Sequence, residues 1–147
     1  RPGTRVFVEG PYGIFTDRVR TSEKVALVGA GIGIAPIRAL LESTAFEPGD
    51  AAVILRASTP DELYLLDEVR DLCARKGATL TVLVGPRAGA TWVPIAYAGS
   101  HLTDFAAFAR SADLYVCGPT PWMNAVLADA ELCGIPETQI HDERFEW

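Results

Sequence analysis

Short apolar, β-branched runs alternate with segments of helical period along most of the chain. Four runs lie at 25–28, 52–55, 79–84 and 113–117, and a fifth lies near 139–141. Runs of this length are typical of buried strands, and their alternation with helices indicates repeated βαβ units. We therefore predict an α/β domain with an open, parallel, five-stranded sheet and helices on both of its faces.

Three helices are predicted between these strands. The first begins near Ala35, the second begins with a capping box at 59–62 and ends at Gly77, and the third begins after Thr120 and ends at Gly134. The residues predicted to face the sheet are Ile37, Leu40 and Leu41 in the first helix, Leu66, Val69 and Cys73 in the second, and Met123, Val126, Leu127 and Ala130 in the third.

Two segments depart from this pattern. Residues 1–20 combine alternating apolar and polar positions with Gly10, Pro11 and Gly13, which is typical of an antiparallel hairpin. We expect them to be the last strand of a preceding β domain plus a connector, with the α/β domain at 21–147. The segment 85–100 is predicted to be a long loop.

Glycines cluster where the first strand passes into the first helix. Such a turn lets the backbone approach a pyrophosphate, whose charge is met by free amides at the helix N-terminus. The spacing Gly-x-Gly-x-x-Gly is not met, because Ile34 stands where the third glycine belongs. The alternative is a turn that only lets the helix pack on the strand. The candidate binding residues are Gly29, Gly31, Ile32, Gly33 and Pro36.

The end of the second strand lacks the acid that would bind a ribose diol about 20 residues after the glycines. Arg56, Ser58 and Thr59 stand there instead, and Arg87 follows the third strand. This set suits a phosphate on the ribose and favours NADPH. The alternative is that both arginines are solvated surface residues and that Thr59 only caps a helix.

A second turn at the same edge of the sheet contains Cys117, Gly118 and Pro119, between the fourth strand and the last helix. Ligands of open α/β sheets bind at this edge. No His or Lys adjoins Cys117 in sequence, so nothing marks it as a nucleophile. His101 and His141 show no metal-ligand spacing, so we interpret both as structural and predict no metal site.

The composition of the chain argues against several classes of function. The chain has 147 residues, 49% of them hydrophobic, and a formal charge of −6, which argues against nucleic-acid binding. No apolar stretch approaches the ~20 residues that span a bilayer, so this segment is not expected to cross one. Three widely spaced cysteines without a CxxC pair indicate a reducing compartment, and we expect a cytoplasmic location. Because the sequence begins at Arg1, we expect part of the parent protein to be missing.

Four motifs occur in a fixed order: GPYG at 10–13, GAGIGIAP at 29–36, CGP at 117–119 and ERF at 143–145. In this combination they resemble the ferredoxin-NADP reductase superfamily. More narrowly, the chain is similar to the C-terminal NAD(P)-binding domain of the ferric reductase and NADPH oxidase branch. The resemblance covers nearly the whole chain and implies a Rossmann-like fold.

The resemblance also implies a partner domain. In that family a flavin-binding β-barrel precedes the nucleotide domain, and a hydride moves from NADPH or NADH to the flavin, which passes electrons singly to a metal centre. Residues 1–20 would end that barrel, and FAD would be held on the missing domain, because the family's flavin motif, Arg-x-Tyr-Ser or Arg-x-Tyr-Thr, is absent here. The expected partners are this flavin domain and either a transmembrane heme domain or an electron-acceptor protein.

Carried over by position, the resemblance implies that Gly31 and Gly33 lie near the pyrophosphate and that the 117–119 turn lies near the nicotinamide. Arg56, Ser58 and Arg87 fall where the family selects its cofactor, although many NADPH-using relatives have Arg in place of Ser58. Glu143 matches the family's C-terminal acid beside the nicotinamide. Either Phe145 or Trp147 would stack on the flavin.

The expected function is therefore NAD(P)H oxidation by hydride transfer to a flavin on the preceding domain. One alternative is the reductase component of a soluble oxygenase. Another is a non-catalytic electron-transfer or nucleotide-sensing subunit, which would keep the glycine turns but would not need Glu143 and Phe145.

Overall fold

The computed structural model of the chain describes residues 20–144. Within these residues, strands alternate with α-helices and short 3-10 turns. The strands are β1 (Lys24–Ala30), β2 (Ala51–Ala57), β3 (Thr79–Val84), β4 (Ala112–Gly118) and β5 (Ile140–Arg144), and the helices are α1 (Ile34–Ser43), α2 (Leu66–Lys76), α3 (Leu102–Phe105) and α4 (Thr120–Leu132).

The five strands form one parallel sheet in the order β3-β2-β1-β4-β5. The central strand β1 places Val28 between Ile54 of β2 and Val116 of β4. The chain winds outward from β1 to β3 and then crosses back to β4 and β5. This confirms the predicted open, five-stranded, Rossmann-like sheet, and it creates a topological switch point between β1 and β4, where such sheets bind ligands.

Alternate residues of the strands bury the two faces of the sheet. On one face, Leu27 and Val53 belong to the core cluster that includes the buried residues of α1 and α2. On the other face, Val28 and Ile54 pack with α4 and with the segment that precedes β4. The predicted helices on both faces are therefore confirmed.

Proline and glycine mark the ends of the helices largely as predicted. Pro36 lies in the first turn of α1, and Pro121 lies in the first turn of α4. Gly77 ends α2 in a left-handed conformation with φ +81°, and its N–H donates to the carbonyl of Cys73. All the residues predicted to face the sheet are at least partly buried, with Leu66 and Leu127 only partly so.

The predicted capping box at 59–62 is wrong. Thr59 precedes a 3-10 turn at Pro60–Glu62 and makes no side-chain cap hydrogen bond, and the α-helix begins only at Leu66. Leu63 turns into the core beside α1 and α2, so the chain bends there before the helix starts.

Two further boundaries differ from the predictions. The last strand continues to Arg144, beyond 139–141. Among residues 20–144, β5 is an edge strand that pairs with β4 alone, and an edge strand tolerates polar residues such as Asp142 and Glu143. The segment 85–100 is more ordered than a plain loop. It buries Trp92 and Val93 in the core and contains a 3-10 turn at Ile95–Tyr97.

The chain enters the domain through contacts with a buried aspartate at the start of β4. The backbone N–H groups of Thr21 and Ser22 donate to Asp113 Oδ2 at 2.7 and 2.6 Å, and His141 Nε2 lies 3.0 Å from Asp113 Oδ1. The predicted hairpin at 1–20 lies, but for its last residue, outside the described residues and stays a prediction. From residue 20 to residue 144, no helix is long and apolar enough to span a bilayer.

Candidate functional site

The two glycine-containing turns meet at the carboxyl edge of the sheet, between β1 and β4. A Cβ atom added to Gly31 would lie 3.7 Å from Cγ of Pro119, and one added to Gly33 would lie 2.0 Å from the carbonyl oxygen of Cys117. The sequence separates these turns by more than 80 residues, and the parallel sheet brings them into contact. The prediction that 29–36 is a strand-to-helix turn is confirmed.

Both turns lead into helix N-termini that lack side-chain caps. The 3-10 turn at Gly31–Gly33 runs directly into α1, Pro119 precedes α4, and neither helix start contains an acidic residue in its first turn. The first N–H groups of a helix have no partner within the helix, and its dipole is positive at that end. The edge therefore presents two sets of backbone donors suited to an anion such as a pyrophosphate.

Close approach of the backbone explains the glycines of these turns. Gly31 has a φ of +56°, which L side chains rarely adopt. Gly33 has an ordinary φ of −75°, but a methyl group there would overlap the backbone of β4. Of the other candidate residues in the first turn, Gly29 is buried, Pro36 is half-buried and Ile32 is 45% exposed at the edge.

Gly118 rests on an aromatic side chain that the sequence interpretation missed. A Cβ atom on Gly118 would lie 2.8 Å from the ring of Trp122, which is buried in the first turn of α4. Trp122 Nε1 donates to the carbonyl oxygen of Trp92 at 3.0 Å. A tryptophan directly after Pro121 in an inward-facing position was the available sequence signal.

Cys117 and Glu143 are paired in the register of β4 and β5. The thiol of Cys117 is fully buried, and this burial, with the nearby carboxyl groups of Glu143 and Asp142, raises its pKa. The thiol therefore stays protonated at neutral pH. Glu143 is half-buried, and its burial and the charge of Asp142 raise its pKa, so it retains a proton to higher pH than an exposed glutamate.

Arg56 is not a solvated surface residue, so that alternative is wrong. It is 8% exposed, and its Nη2 donates to the carbonyl oxygen of Gly85 at 2.8 Å, whereas its Nε has no hydrogen-bond partner in the described part of the chain. Burial and the positive charge of Arg87 lower the pKa of Arg56. Arg87 Nε donates to the carbonyl oxygen of Thr91 at 2.8 Å. Between residues 20 and 144, neither arginine forms a salt bridge.

An acid does reach the end of β2, which the sequence interpretation missed. Glu62 Oε1 accepts a hydrogen bond from the backbone N–H of Ser58 at 2.9 Å, and its charge also acts on Arg56. Pro60 in the turn and the four-residue spacing between Ser58 and Glu62 were the available signal. Ser58 and Thr59 are both exposed at this edge.

The predicted aromatic residues at the C-terminus, Phe145 and Trp147, lie outside the described residues. The sequence-predicted site therefore divides into two groups. One group surrounds the contact between the two turns and contains Gly29, Gly31, Ile32, Gly33, Pro36, Cys117, Gly118, Pro119 and Glu143, and the other lies at the ends of β2 and β3 and contains Arg56, Ser58, Thr59 and Arg87.

Comparison with known proteins identifies the family of this chain. Residues 27–128, which contain both turns and the strands β2 and β3, match the family described as oxidoreductase NAD-binding domain. The chain belongs to this family. It is an NAD-binding domain, and NAD(P)H is its nucleotide class.

Relatives of this NAD-binding domain include components of larger redox proteins. It is 30% identical to the reductase component of propane 2-monooxygenase from Rhodococcus jostii (strain RHA1), over 97% of this chain and 41% of that protein. It is 32% identical to a probable electron transfer subunit of dihydroorotate dehydrogenase B from Thermococcus kodakarensis, over 99% of this chain and 56% of that protein. The chain thus spans about half the length of these relatives.

Solved structures share the fold of the NAD-binding domain. The flavohem-like FAD/NAD-binding domain of nitric oxide dioxygenase from Vibrio cholerae O1 biovar El Tor has a TM-score of 0.67 and 22% identity, over 97% of this chain and 55% of that chain. An Amycolatopsis cytochrome P450 reductase has a TM-score of 0.63 and 18% identity, over 99% and 42% of the two chains.

Proposed function

We propose that this domain binds NAD(P)H across the contact between its two glycine-containing turns and presents the nicotinamide to a flavin on a preceding domain. The observation that carries the proposal is the pair of uncapped helix N-termini at the switch point of the sheet. An anion fits there because neither helix start has a side-chain cap or an acidic residue in its first turn.

Each part of the site has a distinct task. The amides of the Gly31–Gly33 turn hold the pyrophosphate. The absence of a side chain at Gly33 lets this turn pack directly against the backbone of β4. The turn formed by Cys117, Gly118 and Pro119 supports the nicotinamide ring. The buried ring of Trp122 packs against Gly118 and so holds that turn in place. When bound, the nicotinamide supplies a hydride, so this chain contributes orientation and exclusion of water.

Glu143 and Cys117 act beside the ring without exchanging electrons. We assign Glu143 a hydrogen-bonding role, because it pairs with Cys117 in the register of β4 and β5 and its carboxyl group can accept hydrogen bonds beside the ring. Cys117 contributes a small buried side chain and a backbone carbonyl oxygen, because its thiol lies inside the core.

The arginine pair favours NADPH over NADH. Arg56 is a buried cation with an unpartnered Nε, next to Arg87. A phosphate on the ribose would supply the missing negative charge and hydrogen-bond acceptors. Glu62 opposes this preference, so the balance of these three charges determines the selectivity of the site.

The flavin is proposed to be FAD on a domain that residues 1–20 connect to 21–147. The names of the relatives favour the reductase component of an oxygenase or an electron transfer subunit as the parent protein. A ferric reductase or NADPH oxidase parent, with heme or ferric iron as the electron acceptor, is the alternative that the sequence motifs suggest. In either case we place this domain on the cytoplasmic side.

Nucleotide binding and flavin reduction can be tested separately. The 147-residue chain should bind one equivalent of NADPH by calorimetry and should not oxidise it. The full-length protein, mixed anaerobically with NADPH, should lose its flavin absorbance in a stopped-flow experiment. A chain that binds neither NADPH nor NADH would refute the nucleotide site. Binding without flavin reduction in the full-length protein would favour a nucleotide-sensing subunit.

The C-terminal aromatic residues provide a second test in the full-length protein. We propose that Phe145 covers the flavin until the nicotinamide displaces it, since stacking of aromatic rings competes for one face. Phe145→Ser should increase the flavin–nicotinamide charge-transfer absorbance and slow turnover through delayed release of the cofactor. Trp147→Ser is the matched control and should change neither. The reverse result would assign the role to Trp147, and no change in either variant would make both residues structural.

A further inference from the structure

Three side chains with metal-binding atoms converge on the face of the sheet that α4 covers, away from the nucleotide site. Asp129 and Cys133 are four residues apart at the end of α4, a spacing that places both on one side of a helix. His101 reaches them from the segment before α3. Its Nδ1 lies 2.6 Å from Asp129 Oδ1, and Cys133 Sγ lies 4.0 Å from the same oxygen.

The carboxylate of Asp129 is held in place by two donors outside this group. Trp92 Nε1 donates to Asp129 Oδ2 at 2.9 Å, and the backbone N–H of Leu102 donates to it at 2.8 Å. Oδ1 is thereby left to face His101 and Cys133. Outer donors that orient a carboxylate in this way are the usual support of a ligating carboxylate in metal sites.

We propose that His101, Asp129 and Cys133 form a binding site for a borderline-soft divalent cation, of which Zn²⁺ is the best match. Imidazole nitrogen, carboxylate oxygen and thiolate sulfur are the ligand types that Zn²⁺ takes. The three ligand atoms lie within 4.8 Å of one another. A tetrahedral Zn²⁺ requires separations of about 3.2–3.6 Å, which small side-chain rotations would provide.

The surroundings suit an exchangeable ion. Asp129 and Cys133 are buried, whereas the His101 side chain is 51% exposed and provides a path from solvent. Three protein ligands leave a fourth position for water, as in open zinc sites. A bound ion would replace the thiol proton of Cys133 and the proton shared by His101 and Asp129. The ion would link the segment before α3 to the end of α4. This proposal does not depend on the proposed nucleotide binding.

The competing explanation is a hydrogen-bond network that needs no ion, in which Oδ1 of Asp129 accepts hydrogen bonds from both His101 and Cys133. The two explanations differ at Cys133, whose sulfur is bonded to a metal ion only in the proposed site. Cobalt is a suitable probe, because it occupies zinc sites and a thiolate ligand gives it an intense near-ultraviolet charge-transfer band.

The test is a titration of the metal-free, reduced 147-residue chain with Co²⁺. One equivalent should produce the thiolate-to-cobalt band, and Zn²⁺ should abolish it by displacement. Cys133→Ala should remove the band. Cys73→Ala is the matched control, because Cys73 is also buried but lies on the opposite face of the sheet, and it should retain the band.

Two further variants keep the test decisive if Cys133→Ala fails to fold. His101→Gln should weaken Co²⁺ binding at least tenfold. Trp92→Phe removes the Nε1 donor to Asp129 together with part of a buried ring, and it should weaken Co²⁺ binding by about 10-fold while retaining the band. The absence of a stoichiometric band in the wild-type chain, or a band that survives Cys133→Ala, would overturn the proposal in favour of the hydrogen-bond network.

Discussion

Replacing Gly33 by Ala is expected to lower the free energy of unfolding by about 2–3 kcal/mol and to weaken NADPH and NADH alike by about 100-fold. The added methyl carbon would lie 2.0 Å from the carbonyl oxygen of Cys117 and 2.6 Å from the amide nitrogen of Gly118. These atoms belong to the backbone of a buried central strand and its turn and cannot rotate away. The start of α1 must therefore move, and the two turns must separate.

The control for this variant is Gly49→Ala. Gly49 has a φ of +92° and no atom within 4 Å of an added Cβ, so alanine there suffers backbone strain without overlap. It lies before β2, at the opposite edge of the sheet from the turns. We expect a loss of about 1 kcal/mol in unfolding free energy and unchanged nucleotide binding. Chemical denaturation and calorimetry measure both quantities. If Gly33→Ala binds nucleotide normally, the turns are not the pyrophosphate site.

The fold follows from the sequence because its main determinants are local. A buried parallel strand is predicted from a short, nearly continuous apolar run, and in this chain glycine or proline follows within three residues of the ends of β1, β2, β3 and β4. Once the strands are parallel, their carboxyl ends share one edge, so the meeting of Gly31 with Pro119 is a consequence of topology. Sequence alone therefore places both turns at one edge of the sheet, and the structure adds that they are in contact.

The errors arise where a distant contact outweighs a local preference. The capping box at 59–62 satisfies the local rules, but burying Leu63 in the core outweighs the cap and delays the helix until Leu66. Residue type left open the alternative that Arg56 is solvated, yet at the end of β2 its side chain is buried and donates to the carbonyl oxygen of Gly85. No local pattern predicts which charged residue of an apolar strand finds a carbonyl oxygen such as that of Gly85.

The pairing of histidines with buried aspartates was equally invisible in the sequence. His101 and Asp129 are 28 residues apart, as are His141 and Asp113, and each contact depends on packing between separate elements. The residues adjacent to each histidine in sequence give no indication of its aspartate partner. The i, i+4 spacing of Asp129 and Cys133 was visible, but it gained meaning only when the preceding segment brought His101 to it.

Selectivity for the ribose phosphate should respond in opposite directions to the removal of Arg87 and of Glu62. Arg87→Ala is expected to weaken NADPH by about 1.5–3 kcal/mol, or roughly 10- to 150-fold, and to leave NADH nearly unchanged. Within residues 20–144, no acidic side chain forms a salt bridge with Arg87. Replacing Arg87 therefore removes a positive charge that is available to the phosphate. Its neighbour Arg56 would then face the phosphate alone.

Glu62→Gln removes a negative charge from the same place while keeping the turn intact, because the amide oxygen of glutamine still accepts the N–H of Ser58. NADPH should bind about 3- to 10-fold more tightly, since a repulsion of roughly 1 kcal/mol disappears. NADH should weaken slightly, because a carboxylate is the better acceptor for a ribose hydroxyl. Arg70→Ala on the exposed side of α2 is the control for a change of net charge, and it should alter neither cofactor.

Calorimetry of the wild type and of the Arg87→Ala, Glu62→Gln and Arg70→Ala variants, each with NADPH and with NADH, distinguishes the possible positions of the ribose phosphate. Opposite shifts for Arg87→Ala and Glu62→Gln, seen with NADPH and small with NADH, would place the ribose phosphate between the ends of β2 and β3. Equal losses for both cofactors in Arg87→Ala would instead mean that this arginine holds the pyrophosphate or the loop. Tighter wild-type binding of NADH than of NADPH would show that Glu62, and not the arginine pair, determines the selectivity of the site.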